Sequence, residues 1–141
     1  MANKTASVRW VDGMAFETQT GSGHRGWIDS FPQEGQTGKG PTPTELVLVA
    51  VAGCTGMDIV DILRKKRLNV TGLEVKVTGT QAETYPTVYT ELDVVYVVRG
   101  KDIPPSAVEQ AIKLSEEKYC CVGIMIGKTA KINSRYEIIA E

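Results

Sequence analysis

The stretch from Thr42 to Arg67 constrains this chain more than any other. Thr42 suits a helix N-cap and Pro43 the first helical position. Glu45 follows Thr42 by three residues, a capping-box pattern. From Leu46 to Ala52 every side chain is apolar. A surface helix keeps a polar face, so one that is apolar all round must be covered on every side. The run is too short to span a bilayer, because polar residues return at Thr55 and Asp58. The stretch predicts a long, buried central helix carrying Cys54. A chain this small has trouble enclosing such a helix alone, which points to a dimer. Arg64, Lys65, Lys66 and Arg67 place positive charge in the last turn, where cations suit the helix dipole; they read as a solvated helix end, with a phosphate patch as the alternative.

Strand patterns flank this helix. Residues 7–11 and 14–18 read as two strands around Asp12-Gly13, and 24–29 as a third after Gly21-Ser22-Gly23, together an N-terminal antiparallel meander. Residues 30–41 form a Gly/Pro-rich loop, either a flap over a site or a connector. After the helix, 70–80 alternates at Leu73, Val75 and Val77, and 85–98 continues with Val88, Leu92, Val94, Tyr96 and Val98 on one face. Pro86 near its start suggests an edge or entry position for that second strand. Pro104-Pro105-Ser106 starts a second helix, Val122–Ile126 is a short apolar turn or helix that stops at Gly127, and 130–139 is a last strand. Consecutive strands without an intervening helix exclude a simple doubly wound sheet. The expectation is one α+β domain over residues 1–141, with a second antiparallel sheet carrying the further helix.

Charge and cysteine usage narrow the function classes. A net charge of −1 over 141 residues lacks the electrostatic footprint of a nucleic-acid binder. No signal-peptide core or membrane span is visible, so a soluble, cytoplasmic protein is expected. Three cysteines, Cys54, Cys120 and Cys121, do not suggest a disulfide framework. With no C-x-x-C and a single histidine, His24, zinc is not expected either.

On the residues alone, Cys54 reads as a small core hydrophobe or as a nucleophile. A reactive thiolate needs a cation or donor nearby, whereas Asp58, about 40° round the helix, would oppose ionisation. Gly53 and Gly56 leave bare backbone, either for close helix packing or for a substrate. Cys120 supplies a second, distant thiol of the kind a two-cysteine redox cycle uses: one sulfur becomes a sulfenic acid and the other condenses with it. The alternative is two buried thiols beside the second helix.

Gly40-Pro41-Thr42-Pro43-Thr44-Glu45-Leu46, the apolar helix and Ala52-Gly53-Cys54 resemble the signature of the OsmC/Ohr family, the osmotically induced and organic hydroperoxide resistance proteins. Glu117-Lys118-Tyr119-Cys120-Cys121-Val122 resembles its second cysteine motif, 66 residues on. The chain looks closest to a YhfA-like branch, through Arg9-Trp10-Val11, Ser22-Gly23-His24 and Tyr136-Glu137-Ile138. The resemblance implies an OsmC-like fold and an intertwined homodimer. It also implies a site at the subunit interface, reducing organic hydroperoxides to alcohols without a cofactor. Cys54 would be peroxidatic and Cys120 resolving, and the disulfide would be recharged by a dithiol such as a lipoylated protein. Two features depart from the family pattern. Thr44 stands where active members have a Glu ten residues before the first cysteine, and the loop 30–41 contains Lys39 but no arginine. Glu45, Arg25 and His24 are the supporting candidates. Two alternatives stand beside the peroxidase: a non-catalytic dimer binding a small apolar or sulfur-containing ligand at the interface, and a redox sensor.

Overall fold

The computed structural model describes residues 3–31 and 38–141. The middle of the loop 30–41, read above as flap or connector, lies outside the described residues. The chain forms two compact units, Met1–Val47 and Leu48–Glu141.

In the first unit, β1 (Ala6–Asp12), β2 (Ala15–Thr20) and β3 (Arg25–Ile28) form an antiparallel sheet in chain order, the expected meander. Gly13 turns the first hairpin at φ 54°, a left-handed conformation that glycine adopts without steric cost. The Trp10 indole N–H donates to the Gly13 carbonyl at 2.8 Å and braces that turn. Little of this sheet is buried. Every residue of β1 is exposed, and among the described residues of the unit Ala15 is the buried apolar one.

Helix α1 (Pro43–Lys65) starts with the capping box expected of it. The Thr42 N–H donates to Glu45 Oε1 at 2.9 Å, and the Glu45 N–H to Thr42 Oγ1 at 3.3 Å. It ends in a Schellman arrangement: the Leu68 N–H reaches the Leu63 carbonyl (3.2 Å), the Arg67 N–H reaches that of Arg64 (2.8 Å), and Arg67 sits at φ 60°. One chain supplies only part of the cover expected of this helix, the rest of which the sequence reading assigns to a dimer. Within one chain the helix buries a single stripe, Val51, Thr55, Ile59 and Leu63, while Val49 and Met57 are 62% and 75% exposed. One sheet and one further helix can cover only one side of it. The helix as a whole, 23 residues with a window of mean hydropathy 2.0, is long and apolar enough to cross a bilayer by length and composition, which the short apolar run alone did not suggest.

The second unit carries β4 (Asn69–Gln81), β5 (Tyr89–Lys101), α2 (Pro105–Leu114), a π-helical turn (Ser115–Tyr119), α3 (Cys121–Ile126) and β6 (Lys131–Ala140). β4 and β5 pair antiparallel, but β6 joins β5 in parallel, so the sheet is mixed and not the antiparallel one expected. The reason is the connection: α2 and α3 form a crossover long enough to return the chain in the same direction. β5 is the central strand. It begins at Tyr89, so the expected start at residue 85 is corrected; as the strand is central, Pro86 just before it fits the entry position and not the edge. Leu92, Val94, Tyr96 and Val98 alternate onto its buried face, and Ile59 and Leu63 of α1 join Val108, Ala111 and Ile112 of α2 in the same core.

Candidate active site

Three local features assemble the site. The four-residue spacing of Val51, Thr55, Ile59 and Leu63 turns that stripe of α1 into the core and leaves Cys54 and Asp58 half-buried on its flank. After α2 the backbone takes one wide turn, in which the Cys120 N–H donates to the Ser115 carbonyl at 2.7 Å, five residues back. That turn carries Cys120 to the N-cap of α3, where its Sγ accepts from the Gly123 N–H at 3.2 Å. A Cβ on Gly123 would lie 3.0 Å from this sulfur, so glycine gives the thiol its room.

The structure brings Cys54 beside Cys120, near enough to push the Cys120 thiol up. Cys120 is buried, Cys54 half-buried and Cys121 exposed. Burial is the main cause that pushes the Cys120 thiol up, to about 12, against the opposing Gly123 N–H; the neighbouring Cys54 and the Asp58 carboxylate raise it further. The Cys120 sulfur therefore keeps its proton.

A buried hydrogen-bond chain ties the two cysteine-bearing segments together. Ser115 Oγ donates to Asp58 Oδ2 at 2.9 Å and lies 2.8 Å from Thr55 Oγ1. Thr55 Oγ1 lies 3.0 Å from the Tyr96 hydroxyl, which donates to Glu116 Oε1 at 3.0 Å; Ser134 Oγ donates to the same oxygen. Burial drives the Tyr96 phenol well above its ordinary range, so it stays a neutral donor. Thr55, Tyr96 and Ser115 are each at most 1% exposed, and all three are satisfied. Sequence reasoning passed over Tyr96, Ser115 and Glu116. The available signal was Thr55 itself, a hydroxyl on the buried stripe of an apolar helix, which must find partners.

Beside this chain lies a cavity of about 430 Å³ within the second unit, bordered by Cys120, Thr55, Tyr96 and Glu116, by Val51, Val94, Ile124 and Ile132, and by Lys128 and Lys131.

The supporting candidates lie elsewhere along the chain. Glu45 is occupied in the capping box, accepting from both the N–H and the hydroxyl of Thr42. His24 Nδ1 pairs with Ser22 Oγ at 2.8 Å, and Arg25 opens β3 opposite Gln19. Lys39, the loop cation, stacks over the Trp27 ring at 5.2 Å from its centroid. Among the described residues no group of three or more His, Cys, Asp or Glu side chains is arranged to hold a metal.

Comparisons with known proteins agree with this architecture. The family described as OsmC-like protein matches residues 36–135. "Protein YhfA" of Escherichia coli K12 is 40% identical over 136 residues, 96% of this chain and 98% of that protein. A hypothetical protein from Aquifex aeolicus superposes with a TM-score of 0.89 at 30% identity, over 100% of this chain and 99% of that one. The organic hydroperoxide resistance protein OhrB of Bacillus subtilis gives 0.64 at 17% identity, over 96% and 98%, a likeness of fold alone. Matched over most of its length, this chain belongs to the OsmC-like protein family.

Proposed function

We propose that this protein is a thiol-dependent organic hydroperoxide reductase that works through Cys54 and Cys120. The observation that supports the reading is the proximity of these two thiols, 66 residues apart in sequence, Cys54 being one of the neighbours that push the Cys120 thiol up. Family membership supports a peroxide- or stress-related role, and organic hydroperoxide resistance proteins share the fold. The Cys54 thiolate attacks the distal peroxide oxygen. An S–O bond forms, the O–O bond breaks, and the departing alkoxide takes a proton to become the alcohol. The Cys120 sulfur then attacks the sulfenic acid; an S–S bond forms, and hydroxide leaves as water with the Cys120 proton. A dithiol, a lipoylated protein being one example, returns the two electrons. Burial, which favours the protonated form of Cys120, supports it as the sulfur that acts second.

The working form in this reading is a homodimer. The uncovered side of α1, with Val49 and Met57, and the open groove along Gly53, Gly56, Val60, Leu73 and Val75 form a surface that a second copy of the helix would cover.

A thiol count tests the proposal. Reduced protein mixed with cumene hydroperoxide should lose two of its three thiols. Cys120→Ser should stop at a sulfenic acid, and Cys54→Ser should lose none at a comparable rate. The Asp58 carboxylate beside the pair favours the alternative, a non-catalytic dimer that binds a small apolar or sulfur-containing ligand. Retention of all three thiols would establish that alternative instead.

A further inference from the structure

We propose that the cavity bordered by Cys120 admits the reducing thiol, and that a small dithiol opens the disulfide by attacking Cys120 and not Cys54. This rests on the two-cysteine reading above and adds which sulfur is exchanged, and from which side. Among the described residues that line the cavity, Cys120 is present and Cys54 is not. About 430 Å³ is within the usual range for a small-molecule site, here with an apolar wall of Val51, Val94, Ile124 and Ile132. An aliphatic dithiol matches that wall. Lys128 and Lys131 on the lining favour the thiolate form of an incoming sulfur; the Glu116 carboxylate on the same lining opposes it, while accepting from Tyr96 and Ser134.

The exchange balances in two steps. The ligand thiolate attacks Cys120 Sγ, a ligand–Cys120 disulfide forms, the Cys54–Cys120 bond breaks, and the electron pair stays on Cys54 as its thiolate. The second ligand thiol, losing its proton, then attacks the first ligand sulfur. This closes a cyclic disulfide and releases Cys120, which takes up a proton. Counted from the ligand thiolate to the Cys54 thiolate, the ligand loses two electrons and one proton, and the cysteines gain them.

Leaving-group chemistry favours this order. Exchange slows as the departing thiol becomes more basic, and the Cys120 thiol is pushed up to about 12. First attack at Cys54 would expel Cys120 in the bimolecular step. Attack at Cys120 defers that expulsion to the ring closure, where the effective concentration of the second thiol is high. Cys54 is the more exposed of the two sulfurs, so simple accessibility makes the opposite prediction. The experiment therefore discriminates.

The disulfide is made with diamide, which needs no peroxidase activity. It is then exposed briefly to 2-mercaptoethanol, a monothiol that cannot close a ring. After acid quench and alkylation, peptide mass mapping locates the adduct. A Cys121→Ser protein run in parallel removes the neighbouring exposed thiol as a source of scrambling. Mercaptoethanol should sit on Cys120, with Cys54 alkylated, by at least about tenfold over the reverse. An adduct mainly on Cys54 overturns this inference and leaves the peroxidase reading intact. Failure of diamide to join Cys54 to Cys120 overturns both.

Discussion

The two sheets contrast in how much of themselves they bury. β5 packs Leu92, Val94, Tyr96 and Val98 against α1 and α2, each at most 2% exposed, so the second sheet has a core made by its own unit. In the first sheet Val8 and Trp10 are 55% and 64% exposed and no residue of β1 is buried. A three-stranded sheet needs an apolar face packed against something to be stable. The second sheet has one within its unit; among the described residues of the first unit, Ala15 is the apolar side chain that is buried. The same asymmetry recurs along α1, which is closed on the Ile59 side and open at Val49 and Met57. The lesson is that the Ile59 side of α1 and β5 close a core of their own, while the first sheet and the Val49 and Met57 side of α1 leave apolar side chains exposed.

The sharpest test is a pair of truncations. Leu63→Ala should cost about 2–5 kcal/mol in chemical denaturation, at every protein concentration, because it leaves a cavity in a closed core. Trp10→Ala should cost little in dilute protein and show its effect only as a concentration-dependent loss of stability. Equal, concentration-independent losses for the two would break the contrast.

Thr55→Val probes the polar seam inside the closed half. It removes the hydroxyl shared by Tyr96 and Ser115, both buried, and should lower stability by about 1–3 kcal/mol. The same change should slow diamide closure of the Cys54–Cys120 bond, since Ser115 also anchors Cys120 through its carbonyl. Stability lost with closure unaffected would mean that the hydrogen-bond chain supports the fold without positioning the sulfurs.

The smallest effect belongs to the helix start. Thr42→Ala should cost about 1 kcal/mol by removing the cap on the Glu45 N–H, a local loss measurable as a lower thermal midpoint. A much larger loss would mean that Thr42 serves the first unit beyond its capping bond.

Legibility divides by range. The capping box at Thr42 and Glu45, the alternation along β4 and β5 and the N-terminal hairpins were readable because each depends on residues close in sequence. The parallel placement of β6 was not, since strand direction is set by the path of the connecting α2 and α3, which leaves no periodic trace in residues 131–140. The π-helical turn was equally hidden: Ser115 and Glu116 look like ordinary helix surface until Thr55 and Tyr96 arrive beside them.

By itself the sequence determined the family motifs, the helix that carries Cys54 and the presence of a second thiol at Cys120. Only the tertiary structure decided that Cys54 lies beside Cys120, that Cys120 is the buried one, and that a cavity opens on its side. The physical reason is that local periodicity reports which face of an element is apolar. Which distant group meets that face is fixed by the packing of α1, β5 and the turn after α2 on one another.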